Sequence, residues 1–211
     1  VAVITTYTSL LTAIGDYLKR SNLTSFAPNF VQAWEEKFYR QPRNFGRWME
    51  VTGAIGTIAS SVVAVPADYL GLKVAYVDGE NQPALDRKSL TQLYGRYPRG
   101  VADTGTPKQI ARDGTNFVFG PLPDDDYTIK GVYWGKPVVL RSFAGDAAAH
   151  WLIVNAPDLV LYGSLLQAEP FSKNDARIPI WQQLYSDALQ DYRALHREED
   201  ESGSPFQEVL A

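Results

Sequence analysis

The stretch Val51-Thr-Gly-Ala-Ile-Gly-Thr-Ile-Ala-Ser-Ser-Val-Val-Ala-Val65 separates two kinds of sequence in this chain. It is made of β-branched and small residues, has Thr52 and Thr57 as its larger polar groups, and lacks helical spacing, so it reads as extended chain. Further on, residues 72–77 run into Asp78-Gly79. Residues 110–112 meet residues 117–119 across Asp113-Gly114, a pairing that supplies the positive φ values a tight hairpin demands. Residues 127–134 alternate, with Tyr127, Ile129 and Tyr133 on one face and Val132 and Trp134 on the other. Between these strands, residues 86–97 predict a short helix.

On both sides of this block the period changes to that of a helix. Tyr7, Leu10, Leu11, Ile14, Tyr17 and Leu18 follow Thr6, a good N-cap, and Asn22 lies just past the end, which predicts a helix over residues 6–20. Phe30, Val31, Trp34 and Phe38 follow Pro28, whose missing N–H is harmless in a first helical turn, and Pro42 stops that helix. Beyond Pro137 come helices over residues 147–155 and 158–169. A longer one carries Ile180, Trp181, Leu184, Tyr185, Ala188, Leu189, Tyr192 and Leu195 as one apolar stripe. The fold class that follows is α+β. A helical bundle is built from both chain ends, residues 1–47 and 138–197; a small antiparallel β domain, residues 48–137, is inserted in it; and an extended acidic tail, residues 198–211, follows.

Charge separates the tail from the body. The 211 residues carry a net charge of −4, yet the first 197 hold 20 basic against 19 acidic residues, because Glu198, Glu199, Asp200, Glu201 and Glu208 fall in a final stretch without Lys or Arg. A near-neutral body has no field to gather nucleic acid or anionic lipid, so proteins are the expected partners. Cysteine is absent, which excludes disulfides, thiolate zinc sites and a cysteine nucleophile. The first residues lack the basic leader of a secretory peptide, and no apolar run approaches the roughly 18 residues of a membrane helix. A soluble protein made in a cytoplasm, with no membrane partner, is expected.

Catalytic patterns are weak. His150 and His196 have no H-x-x-x-H or H-E-x-x-H partner spacing, so a zinc site is disfavoured. A hydrolase using His150 and a carboxylate is the enzymatic alternative, but a lone helical histidine is more often packed, and His196 beside the acidic tail is blander still. Asp124, Asp125 and Asp126 sit between prolines and a strand, where they set a turn rather than a cation site. Glu35 and Glu36, being adjacent, point in different directions on a helix. Gly53-Ala-Ile-Gly56 lacks the Lys-Ser or Lys-Thr of a phosphate loop, and no G-x-S-x-G occurs. No catalytic, metal or cofactor-binding residue is assigned, and no cofactor is expected.

Arginine and aromatic residues interleave in two places. Lys37, Arg40, Arg43 and Arg47 alternate with Phe38, Tyr39, Phe45 and Trp48; the second stretch holds Arg87, Lys88, Arg96, Arg99, Lys108 and Arg112 against Asp103 alone. Such stretches can hold phosphates and stack bases, but they also typify protein interfaces, and the neutral body favours the latter. Arg40, Arg43, Arg47, Arg96 and Arg99 are therefore subunit-interface candidates. In the tail, Phe206, Val209 and Leu210 follow a Gly203-Ser-Pro205 hinge as apolar anchors suited to insertion into a partner.

The order of motifs resembles the head-to-tail adaptor (connector, head-completion) proteins of tailed bacteriophages, particularly the short-tailed type. The matching features are Ile4-Thr-Thr-Tyr-Thr-Ser-Leu10 with Ile14-Gly-Asp-Tyr-Leu18, Trp34-Glu-Glu-Lys-Phe38, and Val65-Pro-Ala-Asp-Tyr-Leu70. They continue with Phe119-Gly-Pro-Leu-Pro123, Tyr133-Trp-Gly-Lys-Pro137, Asn155-Ala-Pro-Asp-Leu-Val-Leu-Tyr162, and a last helix with Trp181 and Tyr185. The resemblance implies a non-enzymatic virion protein, synthesised in a bacterial host's cytoplasm. In it, about twelve copies form a ring under the portal protein at the capsid vertex, link it to a tail or nozzle protein, and line the DNA exit channel with only transient, non-specific contact to viral duplex. It also implies that the C-terminal segment reaches the portal, which carries a portal-binding role to Phe206, Val209 and Leu210. A neck or tail-tube component that binds tail fibres is the alternative.

Overall fold

The computed structural model describes residues 3–19, 21–58, 61–81, 83–98, 103–144, 150–172 and 177–201. The chain divides into two compact units, one of residues 1–48 with 138–211 and one of residues 49–137. Among the described residues no helix is long and apolar enough to cross a membrane.

The first unit is helical. Helix α1, Tyr7–Leu18, starts from Thr6 in a reciprocal cap: the Ser9 N–H donates to Thr6 Oγ1 at 3.1 Å and the Thr6 N–H to Ser9 Oγ at 2.9 Å. It stops earlier than residue 20 because Lys19 turns left-handed, at φ 50°. Helix α2, Ala27–Tyr39, carries Pro28 in its first turn and buries Phe30, Val31, Trp34, Glu35 and Phe38. Helix α4, Trp151–Asn155, is shorter than the segment expected over residues 147–155: His150 caps it, and residues 145–149 lie outside the described ones. Helix α5, Pro157–Ser172, packs against α1, α2, α4 and α6 and buries Leu159, Val160, Leu161, Ser164, Leu165 and Ala168, which lie on more than one side of it and leave it weakly amphipathic.

Helix α6, Ile178–Glu201, corrects the expected sequence in two ways. Its buried edge is Trp181, Ala188, Tyr192 and His196, while Ile180, Leu184 and Leu195 are exposed, so the apolar stripe is wider than the face that packs. Residues 198–201, expected in an extended tail, are helical, and Glu199 pairs with His196 one turn back at 2.8 Å. Residues 202–211 lie outside the described ones.

The second unit is β-rich. Strands β1 (Glu50–Thr57), β7 (Thr128–Gly135) and β3 (Tyr69–Val77) form one antiparallel sheet in the order β1-β7-β3; β2 (Val62–Ala64), β6 (Asn116–Gly120), β5 (Gln109–Asp113) and β4 (Asp86–Arg87) form another in the order β2-β6-β5-β4. One pair departs from the antiparallel expectation, since β4 runs parallel to β5. The short helix expected within residues 86–97 is α3, Leu90–Arg96, which starts from a second reciprocal cap of Ser89 and Gln92, with Asp86 and Arg87 before it extended. Gly114, at φ +60°, turns β5 into β6, pairing Asp113 with Asn116.

Alternation fixes what each strand buries. In β7, Ile129, Gly131, Tyr133 and Gly135 face inward. Ile129 and Tyr133 join Leu72, Ala75 and Val77 of β3, Val63 of β2, Ile110 of β5, and Phe117 and Phe119 of β6 in one core. Ala111 and Val118, on the opposite faces of β5 and β6, pack with Leu93 of α3. Both surfaces of the β5-β6 hairpin are therefore covered.

Candidate functional site

In the helical unit, the segment between α2 and the unit boundary is tied to α6. Phe38 and Tyr192 meet edge to face at 5.4 Å. Asn44, 1% exposed, donates through Nδ2 to the Phe38 carbonyl at 2.9 Å, and its Oδ1 accepts from Arg193 Nη2 at 2.8 Å. Trp48 donates through Nε1 to Tyr192 Oη at 3.0 Å, and that hydroxyl donates to the Asn44 carbonyl at 2.9 Å. Burial holds the Tyr192 phenol well above its ordinary pKa, so it stays a donor. Trp48 and Trp151 stack with planes 3° apart.

Both histidines belong to this cluster. His150 is 4% exposed, and its Nδ1 accepts from the Leu152 N–H at 3.2 Å. Its ring lies edge-on to Trp48 and Phe143. Burial lowers its pKa from 6.5 to about 4, so it is neutral at physiological pH, as an accepting cap requires. The imidazole holds a turn. His196, read from the sequence as bland, is 6% exposed; its ring meets Tyr192 at 4.4 Å and Trp151 at 5.3 Å, and its Nδ1 meets Glu199. The signal that could have found it is position, four residues beyond Tyr192 on the buried edge.

Glu35 was also missed as a buried group. It is 3% exposed and accepts from the Leu140 N–H through Oε1 at 3.0 Å, joining α2 to the 3₁₀ turn Leu140–Phe143. Burial and the neighbouring Glu35 both raise the Tyr39 phenol far above its usual range. Glu35 stands four residues after Val31 and three before Phe38, which places it in the buried stripe while Glu36 points outward to Arg40 at 3.4 Å.

Arg40, Arg43 and Arg47 are exposed on the helical unit and Arg96 is exposed on the β unit. Arg96 lies 5.8 Å from the centroid of the Tyr97 ring. The described candidates thus fall on two units, Arg40, Arg43 and Arg47 on one and Arg96 on the other. Arg99 and the tail residues Phe206, Val209 and Leu210 lie outside the described residues. Asp124, Asp125 and Asp126 shape the loop before β7: Tyr127 Oη donates to Asp124 Oδ1 at 2.7 Å and the Asp126 N–H to Asp125 Oδ1 at 2.8 Å. Among the described residues, no group of three or more histidine, aspartate or glutamate side chains is gathered to hold a metal.

These side chains serve packing and local hydrogen bonds within their units. No curated protein matches the sequence. A family model described as SU10 adaptor protein matches residues 5–208, which spans both units. The chain belongs to the SU10 adaptor protein family and is a phage adaptor-type structural protein of the virion.

Proposed function

We propose that copies of this chain, about twelve, close into a ring beneath the portal at the capsid vertex of a short-tailed phage, and that the ring joins the portal to the tail and lines the channel through which DNA leaves. The observation that carries this reading is the family match running through both units. A ring needs a heterologous interface in which two different patches of each subunit meet. Support for such patches comes from exposed Arg40, Arg43 and Arg47 and from Ile180, Leu184 and Leu195 left uncovered on α6. Arg96 and Arg99 are candidates for the same interface.

Phe206, Val209 and Leu210 are proposed as the anchors that enter the portal. A single short segment binds weakly because ordering it is costly, but many on one ring engage a symmetric portal at high effective concentration. The near-neutral body suits a channel that lets DNA pass, since each neutralised phosphate adds salt-dependent grip.

Deletion of residues 202–211, which removes the anchors and leaves α6 whole, tests the reading. The truncated chain is expected to remain folded and to lose co-sedimentation with portal rings, which the full chain retains. Intact portal binding with lost attachment of tail proteins would instead make the chain a neck component.

A further inference from the structure

The β unit carries a cleft of about 150 Å³ that the adaptor reading does not use. Leu72 and Phe117, both buried, and the ring of Tyr69 give it an apolar lining, and Arg87, Lys88 and Arg112 bring three cations to it. The sheet explains their meeting. Arg87 of β4 is paired with Ile110 of β5, and Arg112 stands two residues beyond Ile110, hence on the same face. The two guanidinium groups are thus diagonal neighbours across one strand pair.

Charge at this cleft is not balanced locally. Lys88 Nζ meets Asp86 at 2.7 Å, so that pair is neutral. Among the described residues, Arg87 donates through Nη1 to the Leu72 carbonyl, while Arg112 donates through Nε to the Gly114 carbonyl at 3.0 Å and lies 5.3 Å over the Tyr69 ring. These partners are backbone oxygens and a ring, not carboxylates. Each arginine has five N–H donors in a fixed fork that matches a carboxylate in pairs. Two exposed forks on an apolar floor match, in charge and geometry, carboxylates borne by another chain.

We infer that this cleft binds the acidic stretch of residues 198–201 from a second copy of the same chain. Charge complementarity selects the occupant: at the end of α6, beyond Arg197, Glu198, Asp200 and Glu201 are followed by no Lys or Arg, while Glu199 meets His196 of its own helix. The contact joins two different surfaces of identical chains, as ring closure requires. It leaves Phe206, Val209 and Leu210, beyond the Gly203-Ser-Pro205 hinge, available to the portal. A duplex phosphate backbone is the competing anion, but it has no use for a concave apolar floor with room for one or two side chains. The inference rests on the ring reading, yet its test needs no portal.

A fluorescent peptide of residues 196–211 is titrated with the full-length chain at low and at physiological salt, with anisotropy as the readout. Saturable binding is expected that weakens as salt rises and falls at least tenfold in the Arg87→Ala, Arg112→Ala double variant. A peptide with Glu198→Gln, Glu199→Gln, Asp200→Asn and Glu201→Gln should lose binding equally, and it carries the test should the double variant fail to fold. Equal affinity for the acidic and amide peptides overturns the inference. So does displacement of the peptide by a short duplex DNA at a lower concentration than unlabelled peptide requires.

Discussion

The indole of Trp48 donates to Tyr192 Oη at 3.0 Å, and the same hydroxyl donates to the Asn44 carbonyl at 2.9 Å. One phenol therefore satisfies a donor and an acceptor from the segment that ends the first part of the helical unit, and it does so from the last helix, 144 residues away in sequence. Replacing Tyr192 by Phe keeps the ring and removes the oxygen. It should lower stability by about 1–3 kcal/mol, because the buried Asn44 carbonyl and the half-buried Trp48 N–H both lose this partner. Urea denaturation followed by tryptophan fluorescence checks this; an unchanged midpoint would mean that water replaces the hydroxyl.

His150 makes stability depend on pH. Its pKa is about 4 when folded against 6.5 for the unperturbed group. Between those values the unfolded chain takes up a proton that the folded one refuses, so stability is full above pH 6.5 and falls as pH drops toward 4. The contribution is roughly 3 kcal/mol across that window. His150→Asn keeps an N-cap acceptor and should flatten this part of the profile; urea midpoints at pH 7.5 and 4.5 for both proteins isolate the difference.

Gly163 of α5 is a test of how closely α2 approaches. In an open helix, Gly→Ala stabilises by about 0.5–1 kcal/mol. Here an added Cβ would fall on the indole nitrogen edge of Trp34, which is 1% exposed. Overpacking should reverse the sign, so Gly163→Ala is expected to be less stable by about 1–3 kcal/mol, seen as a lower Tm.

Glu35 is expected to matter as an acceptor rather than as a charge. Glu35→Gln retains an oxygen for the Leu140 N–H and should be milder than Glu35→Ala, which leaves that amide unpaired beside a fully buried side chain. The alanine variant should lose about 1–3 kcal/mol, and amide hydrogen exchange at Leu140 should accelerate.

Local chemistry was readable where neighbours in sequence settle it. Thr6 caps α1, Asp113-Gly114 turns a hairpin, and β7 alternates through Ile129 and Tyr133 because each of these depends on a few adjacent residues. The two-residue strand β4 has no period to read; its pairing with β5 is tertiary. The burial of Glu35 and His196 was hidden by their charge-bearing types, although both sit at helical spacing from buried neighbours. Residues 198–201 looked like solvated tail because their composition is acidic, yet α6 continues through them, with Glu199 held to His196. The cleft of Arg87 and Arg112 needed the register of β4 on β5, which no periodicity supplies.

The most direct test of the adaptor account is cryo-electron microscopy of the phage particle at its unique vertex. The account predicts a closed ring of this chain between portal and tail, with the segment after α6 reaching the portal. A junction in which portal and tail proteins meet with no density for this chain would contradict it.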